Sequence, residues 1–274
     1  RTAKPWTRPS VNGGGIRASI AAGDITKKDI NTVLPFGNTL SIVKVTGAEL
    51  LEALEASTYC TPNEIGGFPQ VSGITFTVDT TKAYDQGEQY PGSTYYGPKS
   101  IQRVTIETVG GEPFDANATY TIATNDFMAA GGDTYYAFAA ASVNYDLGLS
   151  MDEVVMDYIT DELKGTVTEE AYGQPAGRIT VDQGLAFTDV AATSPYYDGI
   201  EWAVDEGITN GTTATTFSPY QNCTRAQIIT YLWRAAGSPE PASTEPAYTD
   251  VTDASLYFFK AVQWASEQGL VERR

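Results

Sequence analysis

The sequence lacks histidine altogether, although it is 274 residues long. Histidine is the commonest metal ligand in proteins and the usual general base near neutral pH. Its absence excludes a Ser-His-Asp triad and any metal centre built partly from imidazole in this chain. We therefore expect the catalytic centre of the intact protein to lie outside these residues.

Basic residues and cysteines are scarce as well. Lys and Arg number 17 against 34 Asp and Glu, which gives a net charge of −17. A nucleic-acid backbone requires clustered basic residues, so no nucleic-acid partner is expected. The charge suits a solvated, salt-exposed extracellular surface. The two cysteines, Cys60 and Cys223, fall in regions that we assign to different domains, so no disulfide is expected between them.

Long apolar runs are missing too, and no stretch reaches the roughly 18 apolar residues of a membrane-spanning helix. A signal peptide is not visible either. The chain begins at Arg1 in a polar stretch, and its last repeat stops early at Arg274. We expect this sequence to be a piece of a longer protein.

Glycine, by contrast, is concentrated in two distant turns. Residues 12–17 read Asn-Gly-Gly-Gly-Ile-Arg, and residues 125–133 read Asn-Asp-Phe-Met-Ala-Ala-Gly-Gly-Asp. Glycine permits positive φ and lets a ligand approach main-chain N–H groups, and Arg17 offers a planar cation for a carboxylate or phosphate. The first turn is not a P-loop because no Gly-Lys-Ser/Thr follows.

The pattern of residues 1–182 indicates an α+β domain. Alternating, β-branched segments predict strands at 39–45, 74–78, 102–108, 119–123 and 178–181. Apolar residues at helical spacing predict helices at 48–57 and 151–163, with Ser150 as the N-cap of the second. The Tyr-, Gly- and Pro-rich residues 80–99 predict an irregular loop.

The remainder contains a self-similar pair, which indicates a repeat. Phe-Thr-Asp-Val at 187–190 recurs as Tyr-Thr-Asp-Val at 248–251, and the Trp-Ala pair at 202–203 recurs at 264–265. Residues 224–227, Thr-Arg-Ala-Gln, open an apolar helix in the first copy. We predict a first domain at 1–182, a repeat at 183–239, a linker at 240–247 and a partial repeat at 248–274.

These motifs resemble two known families. Residues from about 9 to 182 resemble the C-terminal, substrate-binding domain of the 5′-nucleotidase family, a mixed-sheet α+β domain, and residues from about 187 resemble the small, all-α S-layer homology repeats. The nucleotidase match rests on the segments 12–17, 34–38, 67–73 and 125–133, in the family's order. The repeat match rests on the motifs of the previous paragraph and on Phe217-Ser218-Pro219.

The first resemblance implies a site for nucleosides and nucleotides. It implies that Arg17 contacts the substrate near its phosphate and ribose, that Phe127 stacks on the base, and that Asp133 accepts from ribose hydroxyls. Phe68 stands at the position of the second stacking ring in one branch of the family, whereas another branch points to Val71. The other substrate-binding residues expected from the same motifs are Asn12, Gly14, Asn125 and Gly132.

Two features depart from the families. A second nucleotidase arginine, expected near the end of the helical segment at 48–60, has no clear counterpart, because Tyr59 and Cys60 stand there. The repeat motif has Gln227 where its family usually has Glu. In these repeats Thr224, Arg225 and Trp202 would serve an anionic secondary cell-wall polymer, normally with three copies acting together.

Structural roles remain open for the same residues. Phe127 could belong to the core, Asp133 could cap a helix at 134–141, and Arg17 could pair with Asp24 or Asp29. Arg225 could be an ordinary surface residue on a packed helix.

The resemblance implies a secreted, cell-surface hydrolase of a Gram-positive-type bacterium. Its metal-dependent reaction would be hydrolysis of nucleotide phosphomonoesters, with 2′,3′-cyclic phosphodiesters or nucleotide sugars as further substrates. Two divalent metal ions would sit in a missing N-terminal domain, and this chain would bind no cofactor and be inactive alone. The alternative is a non-catalytic, wall-bound protein that binds nucleosides or structures the cell surface.

Overall fold

The computed structural model describes residues 9–271. The chain divides into two compact units, Arg1–Gln183 and Gly184–Arg274, here called unit 1 and unit 2. The strands of the described residues are β1 (Ser10–Asn12), β2 (Thr39–Thr46), β3 (Pro69–Val71), β4 (Ile74–Asp79), β5 (Gln86–Gln89), β6 (Tyr96–Pro98), β7 (Val104–Val109), β8 (Glu112–Pro113), β9 (Thr119–Asn125), β10 (Val143–Ser150) and β11 (Ile179–Asp182). The α-helices are α1 (Lys27–Val33), α2 (Gly47–Ser57), α3 (Asp126–Ala129), α4 (Tyr136–Ala139), α5 (Met151–Asp157), α6 (Glu169–Tyr172), α7 (Tyr197–Asp205), α8 (Arg225–Ala235) and α9 (Phe259–Glu267).

Two larger sheets organise unit 1, as the α+β prediction requires. One is antiparallel with the order β10-β2-β9, and the other has the order β11-β4-β7-β8, in which β11 runs parallel to β4. Strands β2 and β4 alternate buried and more exposed residues, which turns one face of each towards a shared apolar core. The smaller pairs β1-β3 and β5-β6 complete the unit.

Helix α2 packs against both β2 and β7 and so joins the two larger sheets. It begins with a capping box, in which the Thr46 hydroxyl accepts from the Glu49 N–H at 3.2 Å and the Glu49 carboxylate accepts from the Thr46 N–H at 2.7 Å. Leu50 and Leu54 are fully buried on its inner face. The helix can start this close to its neighbours because residue 47 is glycine: a Cβ there would lie 2.3 Å from the Asp115 carbonyl oxygen.

Two predicted elements of unit 1 are wrong in detail. Residues 80–99, predicted to be irregular, contain the β5-β6 hairpin, which is held by Tyr90: its ring stacks on Tyr136 at 4.8 Å and its hydroxyl donates to Glu52 at 3.2 Å. The predicted helix at 151–163 is α-helical only over α5 and continues as a π turn at Tyr158–Glu162. Ser150 is its N-cap residue, but its hydroxyl bonds to Asp152 and not to the helix backbone.

Unit 2 contains α7, α8 and α9. A small buried cluster of Phe187, Val190 and Ile200 lies in its first repeat. The Asp189 carboxylate accepts the backbone N–H groups of Phe217 and Ser218, both at 2.8 Å, and these bonds hold its pKa below the usual value. Phe187, the first residue of the repeat motif, is therefore packed in the cluster, and Asp189, the third, fastens the loop that precedes α8.

Cys60 and Cys223 are both free thiols. Within residues 9–271, no helix is long and apolar enough to cross a membrane.

Candidate functional site

Three loops of unit 1 converge where the two glycine-rich turns were predicted to act. Strand β1 pairs with β3, and directly after it the Gly13 N–H donates to the Phe68 carbonyl at 2.8 Å and the Gly14 N–H to the Gly66 carbonyl at 2.7 Å. On the other side of this middle loop, a Cβ added to Gly67 would lie 3.2 Å from the Cβ of Asp133. The loop at 66–68 thus touches both glycine-rich turns.

A chain of buried amides connects the two turns directly. The Asn125 side chain caps α3 by accepting the Met128 N–H at 2.7 Å, and it donates through Nδ2 to Asn12 Oδ1 at 2.9 Å. Asn12 Nδ2 then donates to Asp133 Oδ2 at 3.0 Å. Asn12 and Asn125 are only 6% and 5% exposed, so these bonds form in an environment of low polarity where they are strong. We call this chain the asparagine relay.

The relay orients the carboxylate of Asp133. Its Oδ2 atom is engaged by Asn12, whereas Oδ1 has no hydrogen-bond partner among the described residues. Asp133 also has a φ of 53°, a left-handed conformation that is costly for a residue other than glycine and that often occurs at functional sites. Behind it, the fully buried Tyr135 donates to the Gly67 carbonyl at 2.8 Å, and burial raises the pKa of this tyrosine.

The Phe127 ring lies flat on the backbone of Gly132. A Cβ added to Gly132 would be 2.6 Å from each of three ring atoms, Cε1, Cε2 and Cζ. Equal distances to three atoms of a ring place that position on the ring axis, so one face of the ring covers the glycine. Phe127 is nonetheless 43% exposed, so it is not a core residue and part of the residue is accessible to a ligand.

Arg17 is exposed, and its side chain contacts the first glycine-rich turn and Phe36. Its Nη1 donates to the Gly14 carbonyl at 3.3 Å, and its guanidinium carbon lies 5.9 Å from the centre of the Phe36 ring. The alternative pairing with Asp29 is not formed, since that carboxylate caps α1 through Thr26. The guanidinium is therefore available to an anionic group.

Arg17 and Phe68 line an open groove of about 750 Å³, which we call the Arg17 groove. Phe68 is half-buried in its wall. The other groove-lining residues come from the glycine turn, the segment after α2, strand β3, and β11 with the residue after it: Gly13, Gly14, Thr61, Pro62, Asn63, Glu64, Ile65, Gly66, Gln70, Val181 and Gln183. The groove is large enough for a small ligand.

The glycines of the first turn do not have the positive φ and free N–H groups that the sequence led us to expect. None of Gly13, Gly14 and Gly15 has a positive φ; together they form a 3₁₀ turn. The N–H groups of Gly13 and Gly14 are already bonded to carbonyls, so they are not offered to a ligand. Glycine is needed because a Cβ at position 14 would lie 3.0 Å from the backbone of Gly66.

Two supporting residues were not predicted to have these roles. Asp126, at the start of α3, accepts from the Asn38 side chain at 2.7 Å and from the Thr39 N–H at 3.1 Å, which fastens the 34–38 turn to the second glycine-rich turn. Tyr135 supports the middle loop from within the core. The helix that Asp133 could have capped begins only at Tyr136, and no cap bond from Asp133 is formed.

Unit 2 has a groove of its own, about 600 Å³ in volume, here called the α8 groove. Arg225 lines it at the start of α8, opposite the second copy of the repeat motif at 248–251. Thr224 is occupied structurally, because its hydroxyl accepts the Gln227 N–H at 3.2 Å in a capping box. Trp202 is 58% exposed on α7 and is not among the residues that line this groove.

The residues described do not fit a metal centre. No group of three or more Cys, Asp or Glu side chains is placed to hold an ion anywhere in 9–271. A metal that the family resemblance implies therefore has no set of ligands in this part of the chain.

Comparisons with known proteins match the two parts of the chain to two families. Residues 10–140 match the model of the 5′-nucleotidase C-terminal domain, and residues 186–229 match the S-layer homology domain. A trifunctional nucleotide phosphoesterase of Bacillus subtilis is 40% identical over 156 residues, which is 56% of this chain and 10% of that protein. An apyrase of Tabanus yao is 33% identical over 185 residues, 65% of this chain and 31% of that protein.

Among solved structures, a 5′-nucleotidase precursor from Thermus thermophilus superimposes with a TM-score of 0.53 at 36% identity. The superposition covers 65% of this chain and 32% of that chain. The chain thus spans a third or less of the length of these relatives. It carries a 5′-nucleotidase C-terminal domain followed by an S-layer homology domain.

Proposed function

We propose that this chain is the nucleoside-binding part of a cell-surface, metal-dependent 5′-nucleotidase, held at the cell wall by its S-layer homology region. The observation that carries the proposal is the asparagine relay, which fixes the Asp133 carboxylate beside the loop of Phe68. An exposed aromatic face suits a base, a carboxylate suits ribose hydroxyls, and a guanidinium suits a phosphate.

In this proposal the chain binds and orients the substrate but does not hydrolyse it. Phe127 and Phe68 enclose the base, Asp133 Oδ1 accepts from the ribose, and Arg17 lies towards the phosphate. Asn12, Gly14, Asn125 and Gly132 hold these groups in place through the contacts described above. Two divalent metal ions would be held by a separate domain, and domain closure would bring the phosphoester to them.

The family resemblance leaves three substrate classes for the intact enzyme: nucleotide phosphomonoesters, 2′,3′-cyclic phosphodiesters and nucleotide sugars. All three contain the nucleoside that the proposed site recognises. The first class is the one we propose, because the names of the relatives describe nucleotide phosphoesters and 5′-nucleotides.

Calorimetric titration of the chain with adenosine tests the nucleoside site. Phe127→Ala removes the stacking face and is expected to weaken binding by about 1–3 kcal/mol, roughly 5- to 150-fold in Kd. The matched control is Tyr172→Ala, which removes a ring that is 50% exposed elsewhere in unit 1 and should leave Kd unchanged. Equal affinity in Phe127→Ala and the parent chain would reject the stacking role.

Attachment to the wall is tested by co-sedimentation of the chain with purified wall fragments that carry anionic polymer. Arg225 is the cation that lines the α8 groove, so Arg225→Ala should reduce the bound fraction several-fold at low salt. The difference from the parent should shrink as salt is raised, because screening weakens the attraction that the variant lacks. Lys260→Ala is the control: it removes the same charge from an exposed residue of unit 2 that pairs with Glu240. A similar loss in both variants would indicate non-specific charge attraction.

A further inference from the structure

Arg103 is a buried cation whose guanidinium hydrogen bonds go to backbone carbonyls beyond α2. It is only 4% exposed. Nη1 donates to the carbonyls of Thr58 and Tyr59, each at 2.7 Å, and Nη2 donates to the carbonyl of Thr61 at 2.5 Å. The positive charge therefore lies at the carboxyl end of the helix, where it stabilises carbonyl groups that have no partner within the helix.

The backbone of Arg103 is anchored by a second buried charge. Glu55, on α2, is fully buried, and its carboxylate accepts the N–H groups of Gln102, Arg103 and Val104, the shortest at 2.7 Å from Val104. Burying two charges is costly, and well-packed apolar residues could often fill the same space with equal or greater stability. The polar arrangement fixes the path of the backbone, which an apolar pair would not do.

The fixed backbone leads directly into the Arg17 groove. Residues 61–66, which we call the wall segment, line the groove together with Arg17 and Phe68. Arg103 holds the start of the wall segment through the Thr61 carbonyl. Gly14 holds its end through the Gly66 carbonyl at 2.7 Å. The segment is thus fastened at both ends, and one of the two fastenings is the Arg103 side chain.

The turn at 58–61, which Arg103 holds, also contacts two further tyrosines. The Tyr59 ring lies 5.9 Å from the Tyr84 ring and 6.4 Å from the Tyr95 ring, measured between centres. Arg103 therefore holds a turn that borders the Arg17 groove and that also places the Tyr59 ring against those of Tyr84 and Tyr95.

We propose that Arg103 is a positioning residue for the nucleoside site: its guanidinium holds the carbonyls of Thr58, Tyr59 and Thr61 and so fixes the wall segment opposite Arg17 and Phe68. Arg103 does not touch the ligand. The proposal rests on the proposed function, because it assigns the residue to the same site.

Arg103→Lys keeps the charge but replaces the planar fork with a single ammonium, which cannot reach all three carbonyls in the same geometry. We expect its Kd for adenosine to rise about tenfold in calorimetric titration. Hydrogen exchange of amides in 58–66 should become faster, and saturating adenosine should restore part of the protection. The control is Val45→Ala. Val45 is fully buried near the end of β2 that lies away from Asn125, so its truncation should lower stability without changing Kd.

The outcomes separate the two proposals. If the parent chain fails to bind adenosine, the proposed function and the positioning role are both overturned. If the parent binds and Arg103→Lys binds equally well, or if faster exchange is spread over unit 1 as in Val45→Ala, only the positioning role is overturned. Should Arg103→Lys fail to fold, Glu55→Gln takes its place, since it weakens the anchor of Arg103; unchanged Kd and exchange in that variant would overturn the role equally.

Discussion

Unit 1 buries one apolar cluster that runs through both of its larger sheets, whereas the cluster of the first repeat in unit 2 consists of Phe187, Val190 and Ile200. Unit 2 is also about half as long as unit 1. Because the fraction of surface buried on folding rises with chain length, a small unit has less apolar burial to offset the loss of chain entropy. The two regions must therefore be stabilised in different proportions by apolar and polar contacts.

Polar side chains that bond to the backbone carry much of the organisation of unit 2. Asp189 holds the loop before α8, and Thr224 and Gln227 cap α8. Glu267 accepts the N–H groups of Ala242 and Ser243 and thereby fixes the linker between the repeats. In unit 1, the buried amides of Asn12 and Asn125 orient side chains at the candidate site beside a large apolar core. The comparison suggests that polar bonds hold the fold of unit 2 and the site of unit 1.

The largest expected effect is the loss of a core ring from unit 2. Phe187→Ala should cost about 3–5 kcal/mol, enough to unfold a unit with so small a cluster, whereas Phe138→Ala should leave unit 1 folded. Three of the four tryptophans, Trp202, Trp233 and Trp264, are in unit 2, so fluorescence during urea unfolding reports mainly on that unit. Phe187→Ala should shift or abolish this transition and Phe138→Ala should not. A shift of equal size in both variants would show that the units unfold together.

The sequence was most informative where structure is set locally. Thr224 and Gln227 are a capping pair three residues apart, and they begin α8 as the pattern predicts. Alternation over residues 39–45 predicted β2, and the structure extends it by one residue to Thr46. The hairpin within 80–99 was missed because no apolar alternation is present, and its stabilising contact is the tertiary stack of Tyr90 on Tyr136.

The site was predictable only as a set of candidates. The motifs singled out Asn12 and Asp133, but the bond that joins them spans 121 residues and follows from no local pattern. Arg103 carried no signal at all, since an arginine near the start of a predicted strand is ordinary in sequence and its role depends on carbonyls more than 40 residues away. The substrate roles of the candidates remain predictions for the titrations described above.

The second prediction concerns the polar bonds of unit 1. Asn12→Ala removes the centre of the asparagine relay, so that Asn125 Nδ2 loses its acceptor and Asp133 Oδ2 loses its donor. Leaving a buried polar group unsatisfied costs about 1–3 kcal/mol, so urea unfolding of unit 1, followed by near-ultraviolet circular dichroism, should shift accordingly. Asn117→Ala, at an exposed position of the same unit, should stay within about 0.5 kcal/mol of the parent.

Asn12→Ala should also weaken adenosine binding, because Asp133 Oδ2 loses the donor that orients the carboxylate. If stability falls while the Kd for adenosine is unchanged, the relay serves the fold of unit 1 alone. The statement that polar bonds hold the site of unit 1 would then be wrong.

The smallest effect compares the same capping box in the two units. Thr46→Ala and Thr224→Ala each remove the hydroxyl that accepts the N–H of the third helical residue, at 3.2 Å in both helices, and each should cost about 1 kcal/mol. The loss in melting temperature should nevertheless differ, because a smaller unit has a smaller unfolding entropy. Calorimetric scans should give a fall of about 4–8 °C for unit 2 and about 2–4 °C for unit 1. Equal shifts in the two transitions would mean that unit 2 unfolds with an entropy as large as that of unit 1, and its small core could not then be the reason for its reliance on polar bonds.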